Sequence, residues 1–179
     1  MILDLRDSAQ GEEAEGIATA NLFLNHGTIT YLQGQKYTRK AFNAEPAKNI
    51  TSLPVAVLVN KGTAGPAEIV AAAILDNARG DVIGDKTFGE GSVQNVIDLP
   101  DGAALILTVA KYYTPAGKAI QDAAVTPNIV VADNDDIAAL PDDDSGDTTP
   151  SAEDNAKAKT PRPDDTLQKA VQVLKTKHS

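Results

Sequence analysis

The run Pro54-Val-Ala-Val-Leu-Val-Asn60 constrains this chain more than any other stretch. It is apolar without interruption rather than alternating, which predicts a central strand buried on both faces, as in a parallel sheet. Directly after it, Gly62-Thr-Ala-Gly-Pro-Ala-Glu68 leads into a helix expected over Pro66 to about Ala78. Gly65 suits its N-cap, Pro66 its first helical position, and Glu68 its first turn. Most of the helix surface is apolar (Ile69, Val70, Ala72, Ala73, Ile74, Leu75), so the helix should be largely buried. Gly80 ends it, and Asp81 to Gly84 reads as a short strand. Such a strand–loop–helix–strand unit makes the chain α/β.

The flanking segments extend the same pattern. Ile2 to Leu5 reads as a strand. Gly11 to Asn25 has helical spacing at Ala14, Ile17, Ala18, Leu22 and Phe23, with Glu12, Glu13 and Glu15 in its first turns and Gly27 as its stop. Thr28 to Gln33 and Lys36 to Phe42 read as strands about a turn at Gly34. From Ser92 to Tyr113 the period becomes two, predicting a hairpin of Val93 to Leu99 and Ala103 to Tyr112 around Pro100-Asp101-Gly102. A last strand, Asn128 to Val131, closes a partly parallel sheet.

Three regions are expected: a core over residues 1–132, an acidic linker over 133–163 and a C-terminal helix over 164–179. Residues 133–165 carry eleven Asp/Glu against three Lys/Arg, so most of the net charge of −9 belongs there. The composition of the linker favours disorder, and a solubilising role explains its charge more simply than a partner-binding arm. Thr166 to His178 returns to helical spacing, with Leu167, Ala170, Val171 and Leu174 on one face, and is expected to dock on the core.

Inventory excludes several chemistries. The chain has no Cys and only two His, His26 and His178, which argues against disulfides, thiolate chemistry, a Ser-His-Asp triad and a His-rich metal site. No cofactor signature is visible. No basic stripe remains once the acidic segment is set aside, so nucleic acid is not an expected partner. No apolar run approaches the length of a membrane span, and the first residues do not read as a secretory signal.

Four segments together resemble the carboxy-terminal processing, or tail-specific, proteases: Ile2-Leu-Asp-Leu-Arg6; Gly62-Thr-Ala-Gly-Pro-Ala-Glu-Ile69; Gly84-Asp-Lys-Thr-Phe-Gly-Glu-Gly-Ser-Val-Gln94; and Lys111-Tyr-Tyr-Thr-Pro-Ala-Gly-Lys-Ala-Ile-Gln121. The likeness continues through Pro127 to Val131, and Asp164 to Leu174 resembles the terminal helix of the family. It implies a ClpP/crotonase-like α/β core with a mixed sheet, a hairpin and flanking helices. It also implies an envelope-associated, periplasmic serine endopeptidase with a Ser/Lys dyad. In such a dyad a desolvated, neutral Lys takes the Ser proton.

Carried over position by position, the resemblance places the nucleophile at Gly65 and the general base at Glu90. Their separation and the retained orienting position, Gln94, agree with the family, but neither dyad side chain is present. The oxyanion hole is altered too. One donor is the N–H just after the nucleophile, where Pro66 has none; the other comes from the Gln10-Gly11 stretch, with Gln10 where a Gly is common. A serine protease without its nucleophile keeps about 10³–10⁴-fold catalysis over water, and a lost oxyanion donor costs roughly another 10²–10³. The expectation is a pseudoprotease that still binds extended peptides or unfolded protein C-termini as a scaffold or regulatory module; the alternative is an active serine-type endopeptidase with displaced catalytic groups or with catalysis completed by another chain.

Other residues offer weaker substitutes. Ser8, Lys61, Thr63 and Lys86 lie on loops expected to approach the site, and a Thr63–Lys86 dyad would lack an oxyanion partner. Glu68 with Glu90 as a paired-carboxylate base, for peptide or crotonase-like acyl chemistry, is set against a simpler assignment. In that assignment Glu68 satisfies a helix start and Glu90 is a solvated loop residue near Lys86. His26 is expected to be an exposed helix cap. The resemblance also implies further core strands ahead of Ile2, whose absence from this chain would leave apolar surface for dimerisation.

Overall fold

The computed structural model describes residues 1–131 and 164–177. The expected linker, 133–163, and His178 lie outside the described residues.

Among the described residues, eight strands form two four-stranded sheets rather than one mixed sheet. The first is wholly parallel, in the order β1 (Ile2–Asp4), β4 (Val55–Val59), β5 (Gly80–Gly84), β8 (Ile129–Val130). The second is antiparallel, in the order β3 (Lys40–Asn43), β2 (Thr28–Gln33), β7 (Ala104–Tyr113), β6 (Ser92–Asp98). The α/β class stands, with parallel and antiparallel pairing segregated into separate sheets.

β4 shows why its sequence is uniformly apolar. All five residues are buried. Val55, Val57 and Val59 join the main core with α1 (Glu13–Phe23) and α2 (Pro66–Asp76). Ala56 and Leu58 face the other way, into a second cluster with Ile83 and with Ala170 of α3 (Asp165–Thr176). Successive side chains of a strand point to opposite faces, so covering both faces leaves no position for a polar residue. α2 is buried from Ala67 to Ile74, because it lies between the parallel sheet and α1.

Two boundaries differ from expectation. The segment read as a strand from Lys36 is a turn first: the backbone N–H of Gly34 donates to the Tyr37 carbonyl at 3.1 Å and that of Tyr37 to the Gly34 carbonyl at 3.3 Å, so pairing begins only at Lys40. α1 stops at Phe23 rather than near Gly27, since Leu24 turns extended (φ −103°, ψ 132°) and buries its side chain in the core. His26 therefore lies beyond the helix end, exposed, with its Nδ1 against Asn25 Oδ1 rather than on a helix carbonyl.

Candidate functional site

Two loops meet at the C-terminal ends of β1 and β4. Their strands are parallel neighbours, with Ile2 opposite Ala56, so the chain leaves both on the same side. Asn60 joins the loops: its Oδ1 accepts the N–H groups of Asp7 and Gly62, each at 3.0 Å, and its Nδ2 donates to Asp7 Oδ1 at 3.0 Å. Thr63 donates its hydroxyl to the Leu5 carbonyl at 2.8 Å, and the Ala64 N–H donates to the Ser8 carbonyl at 2.9 Å.

Gly65 stands at the sharp turn into α2 with φ +57° and ψ −121°. Side chains rarely tolerate this backbone, yet a Cβ here would meet no atom within 4 Å. The turn thus has the strand-to-helix shape of a nucleophile elbow, with open space where a side chain would project. Pro66 follows as the first helical residue and offers no N–H.

Gln10 and Gly11 are exposed beside this turn. A Cβ on Gly11 would lie 3.6 Å from Pro66 Cγ, and one on Gly16 only 2.4 Å from the Pro66 carbonyl oxygen. α1 therefore rests directly on the start of α2. The N–H groups of Ala9, Gln10 and Gly11 donate to no acceptor among the described residues.

Glu68 does much more than start a helix. Its side chain is fully buried, and its carboxylate collects four donors. Oε2 accepts from Gly65 N–H at 3.1 Å and Glu90 N–H at 2.7 Å. Oε1 accepts from Gly89 N–H at 2.9 Å and from the Thr87 hydroxyl. Burial pushes the Glu68 carboxyl above its ordinary pKa, and the four hydrogen bonds oppose that rise. The 87–91 loop is held further by Phe88 N–H on the Thr63 carbonyl at 2.9 Å and Gly91 N–H on Gln121 Oε1 at 3.0 Å.

The loop brings Glu90 to the elbow by its backbone, while its side chain is exposed and has no ion pair among the described residues, Lys86 included. Glu68 meets the main chain of Glu90 rather than its carboxylate, so the two do not form a paired-carboxylate base. Gln94 is exposed on β6, opposite Thr108. The Thr63–Lys86 dyad is not assembled: Thr63 is fully buried with its hydroxyl engaged, and Lys86 is exposed. Ser8 gives its main chain to loop packing, and Lys61 lies 3.6 Å from Asp85.

Sequence reasoning gave three participants less than their part. The reach of Glu68 to Gly89 and Glu90 was hidden because its spacing from Gly65 already explained it as a helix-start residue. Gln121 stood only as the end of a motif, with no role attached. Phe88, 69% exposed at the site rim, could have been noticed as an aromatic among glycines with no apolar neighbour in sequence.

Away from the elbow, Arg6 bridges Asp4 (2.7 Å) and Asp164 (2.8 Å), fastening the N-terminus of α3 to the end of β1. Its hydrogen bonds hold both carboxyls below their usual pKa, and the carboxylates in turn raise that of the guanidinium. No group of three or more His, Cys, Asp or Glu is placed to hold a metal ion among the described residues, and no helix there is long and apolar enough to cross a membrane.

Comparison with known proteins identifies relatives of this arrangement. The model of peptidase family S41 matches residues 1–131. The chain is 44% identical over 128 residues to carboxyl-terminal-processing peptidase 2, chloroplastic, of Arabidopsis thaliana, covering 71% of this chain and 25% of that protein. It is 42% identical over 130 residues to the carboxyl-terminal-processing protease of a Synechocystis species, covering 73% and 30%. The solved photosystem II D1 C-terminal processing protease matches with a TM-score of 0.67 at 36% identity, over 73% of this chain and 34% of that one. The chain thus spans about a quarter to a third of the length of these relatives.

Proposed function

The chain belongs to peptidase family S41, and from that premise we propose that it is a carboxyl-terminal-processing peptidase domain that has lost proteolysis and holds extended peptides as a scaffold or regulatory module. The observation that carries this reading is the elbow itself. Its backbone keeps the strained turn of a nucleophile position, while Gly65 has no side chain to attack with and Pro66 no N–H to stabilise an oxyanion. Glu90, in the position of the general base, offers an exposed carboxylate, which cannot act as a desolvated amine.

Peptide binding needs neither dyad member. An extended segment is held by main-chain hydrogen bonds, and the N–H groups of Ala9, Gln10 and Gly11 have no other acceptor among the described residues. Phe88 stands exposed at the rim as an apolar contact. Unfolded protein C-termini are the ligands that fit the family. A bacterial envelope or periplasmic location belongs to the same reading and is supported by named bacterial relatives such as that of Synechocystis.

Mass spectrometry of an unfolded protein substrate after long incubation tests the proposal, with new C-termini as the readout. The natural chain should produce none while binding a fluorescent unstructured peptide saturably. Newly made termini from the natural chain would overturn the loss of proteolysis; absence of peptide binding would overturn the scaffold role. A Gly65→Ser, Pro66→Ala, Glu90→Lys variant run alongside should gain cleavage if the rest of the site is intact.

A further inference from the structure

We propose that two copies of this chain pair through β6, antiparallel and about a two-fold axis at Asn95, to give one continuous antiparallel sheet across the dimer. Among the described residues, the four edge strands differ sharply. β1 and β8 have only three and two residues, and β3 has four, with Lys40 in the strand and Arg39 just before it. Short length and edge cations are the usual protections against pairing with another chain. β6 has neither: it runs seven residues, Ser92-Val-Gln-Asn-Val-Ile-Asp98, with no Lys, Arg or Pro. The bulge in the β6–β7 ladder leaves Val109 as the extra residue on β7, so β6 itself is regular.

The hairpin beyond this edge is apolar on both faces. Val96 and Ile106 lie opposite one another on one face, each 59% exposed; Ile97 and Leu105 do so on the other, with Leu107 beside them, at 42–44%. Monomeric proteins rarely expose contiguous apolar patches beyond a few hundred Å².

Charge and ladder geometry select a second copy as the occupant. The Leu99 N–H donates inward to the Ala103 carbonyl at 2.8 Å. Alternation along an antiparallel ladder then turns the main-chain groups of Gln94, Val96 and Asp98 outward. A two-fold axis at Asn95 sets Gln94 of one copy against Val96 of the other as a hydrogen-bonded pair. Val93 meets Ile97, apolar against apolar, and Asp98 meets Ser92. The only charge in the strand thus avoids its own copy, whereas an in-register parallel pairing would set Asp98 against Asp98. Between Ser92 and Ala110 the sole charged residues are Asp98 and Asp101, so this face approaches its copy with little of the repulsion expected from a chain of net charge −9.

Sedimentation of the full chain and single-cysteine cross-linking test this, since the chain has no native Cys. In the proposed register Asn95 faces Asn95 as a non-hydrogen-bonded pair about 4.5 Å apart at Cα, within disulfide reach. Val96 is out of register with its own copy. Asn95→Cys should therefore form a covalent dimer under mild oxidation at least about tenfold faster than Val96→Cys, and Val96→Lys should raise the dimer dissociation constant by at least about tenfold. A natural chain that stays monomeric at about 100 μM would overturn the proposal. So would a dimer in which Asn95→Cys links no faster than Val96→Cys, which would place the contact in another register or on another surface.

Discussion

The carboxylate of Glu68 accepts the backbone N–H of Glu90 at 2.7 Å, joining the first turn of α2 to the loop that precedes β6. The same oxygen accepts the Gly65 N–H at 3.1 Å, so one buried group holds the turn at Gly65 against the loop that carries Glu90.

Replacing Glu68 by Gln should cost about 1–3 kcal/mol. The amide keeps the volume but accepts at one end only, and its NH₂ is best placed toward Thr87, whose hydroxyl can accept from it while turning its own proton to the Val125 carbonyl. The Gly89 N–H alone then loses its acceptor. Urea unfolding at neutral pH measures the loss, and hydrogen exchange should locate it at the amide of Gly89. Unchanged exchange there would show that the carboxylate does not hold the loop.

Gly65→Ala isolates the strain of the elbow. The added methyl has open space, so steric crowding contributes nothing and only the backbone conformation at φ +57°, ψ −121° is penalised. A sparsely populated backbone region costs about 1–3 kcal/mol. Denaturant midpoints of the two chains give the value directly, and a neutral result would mean that the turn relaxes to ordinary geometry.

How much of this was legible depended on whether the cause was local. β4 and α2 could be read because burial on both sides removes every polar position, and Gly65-Pro66 could be read because cap and first-turn preferences are local rules. The start of β3 was misplaced because the Gly34–Tyr37 turn delays pairing without altering the strand-like composition of Lys36 to Phe42. The separation into two sheets is a matter of tertiary pairing, which period alone does not encode. At the site, Glu68 was identified but underread, because its contacts to Gly89 and Glu90 cross 21 and 22 residues of sequence.

Gly16→Ala should loosen the contact between α1 and α2. Its Cβ would fall 2.4 Å from the Pro66 carbonyl oxygen, and backbone at that distance cannot yield as a flexible side chain would. Helix propensity alone predicts a gain of about 1 kcal/mol for Ala over Gly; overpacking predicts a loss of about 1–3 kcal/mol. The clash should win, with a lowered melting temperature and faster amide exchange at Glu15 and Glu68, whose N–H groups close the first turns of the two helices on the Glu12 and Gly65 carbonyls.

Docking of α3 should weaken in acid. Arg6 depresses the pKa of Asp164, with a smaller contribution from the Leu167 N–H that the carboxylate caps at 2.8 Å. Asp4 is depressed by the same guanidinium. A carboxyl lowered in the folded state contributes stability above its unfolded value, near 3.8, and loses it as the pH falls through the lower folded value. Both side chains are more than a third exposed, so screening by solvent keeps the ion-pair part small; the cap supplies most of the effect, about 1 kcal/mol. At pH 7, Asp164→Ala should therefore raise amide exchange in the first turn of α3, while Asp164→Asn, which can still cap, should raise it less. Near pH 2 the natural chain, its Asp164 carboxyl neutral but still able to cap, should converge on Asp164→Asn. Equal protection of the natural chain and Asp164→Ala at pH 7 would mean that the apolar face of Ala170, Val173 and Leu174 holds the helix without the Arg6 bridge.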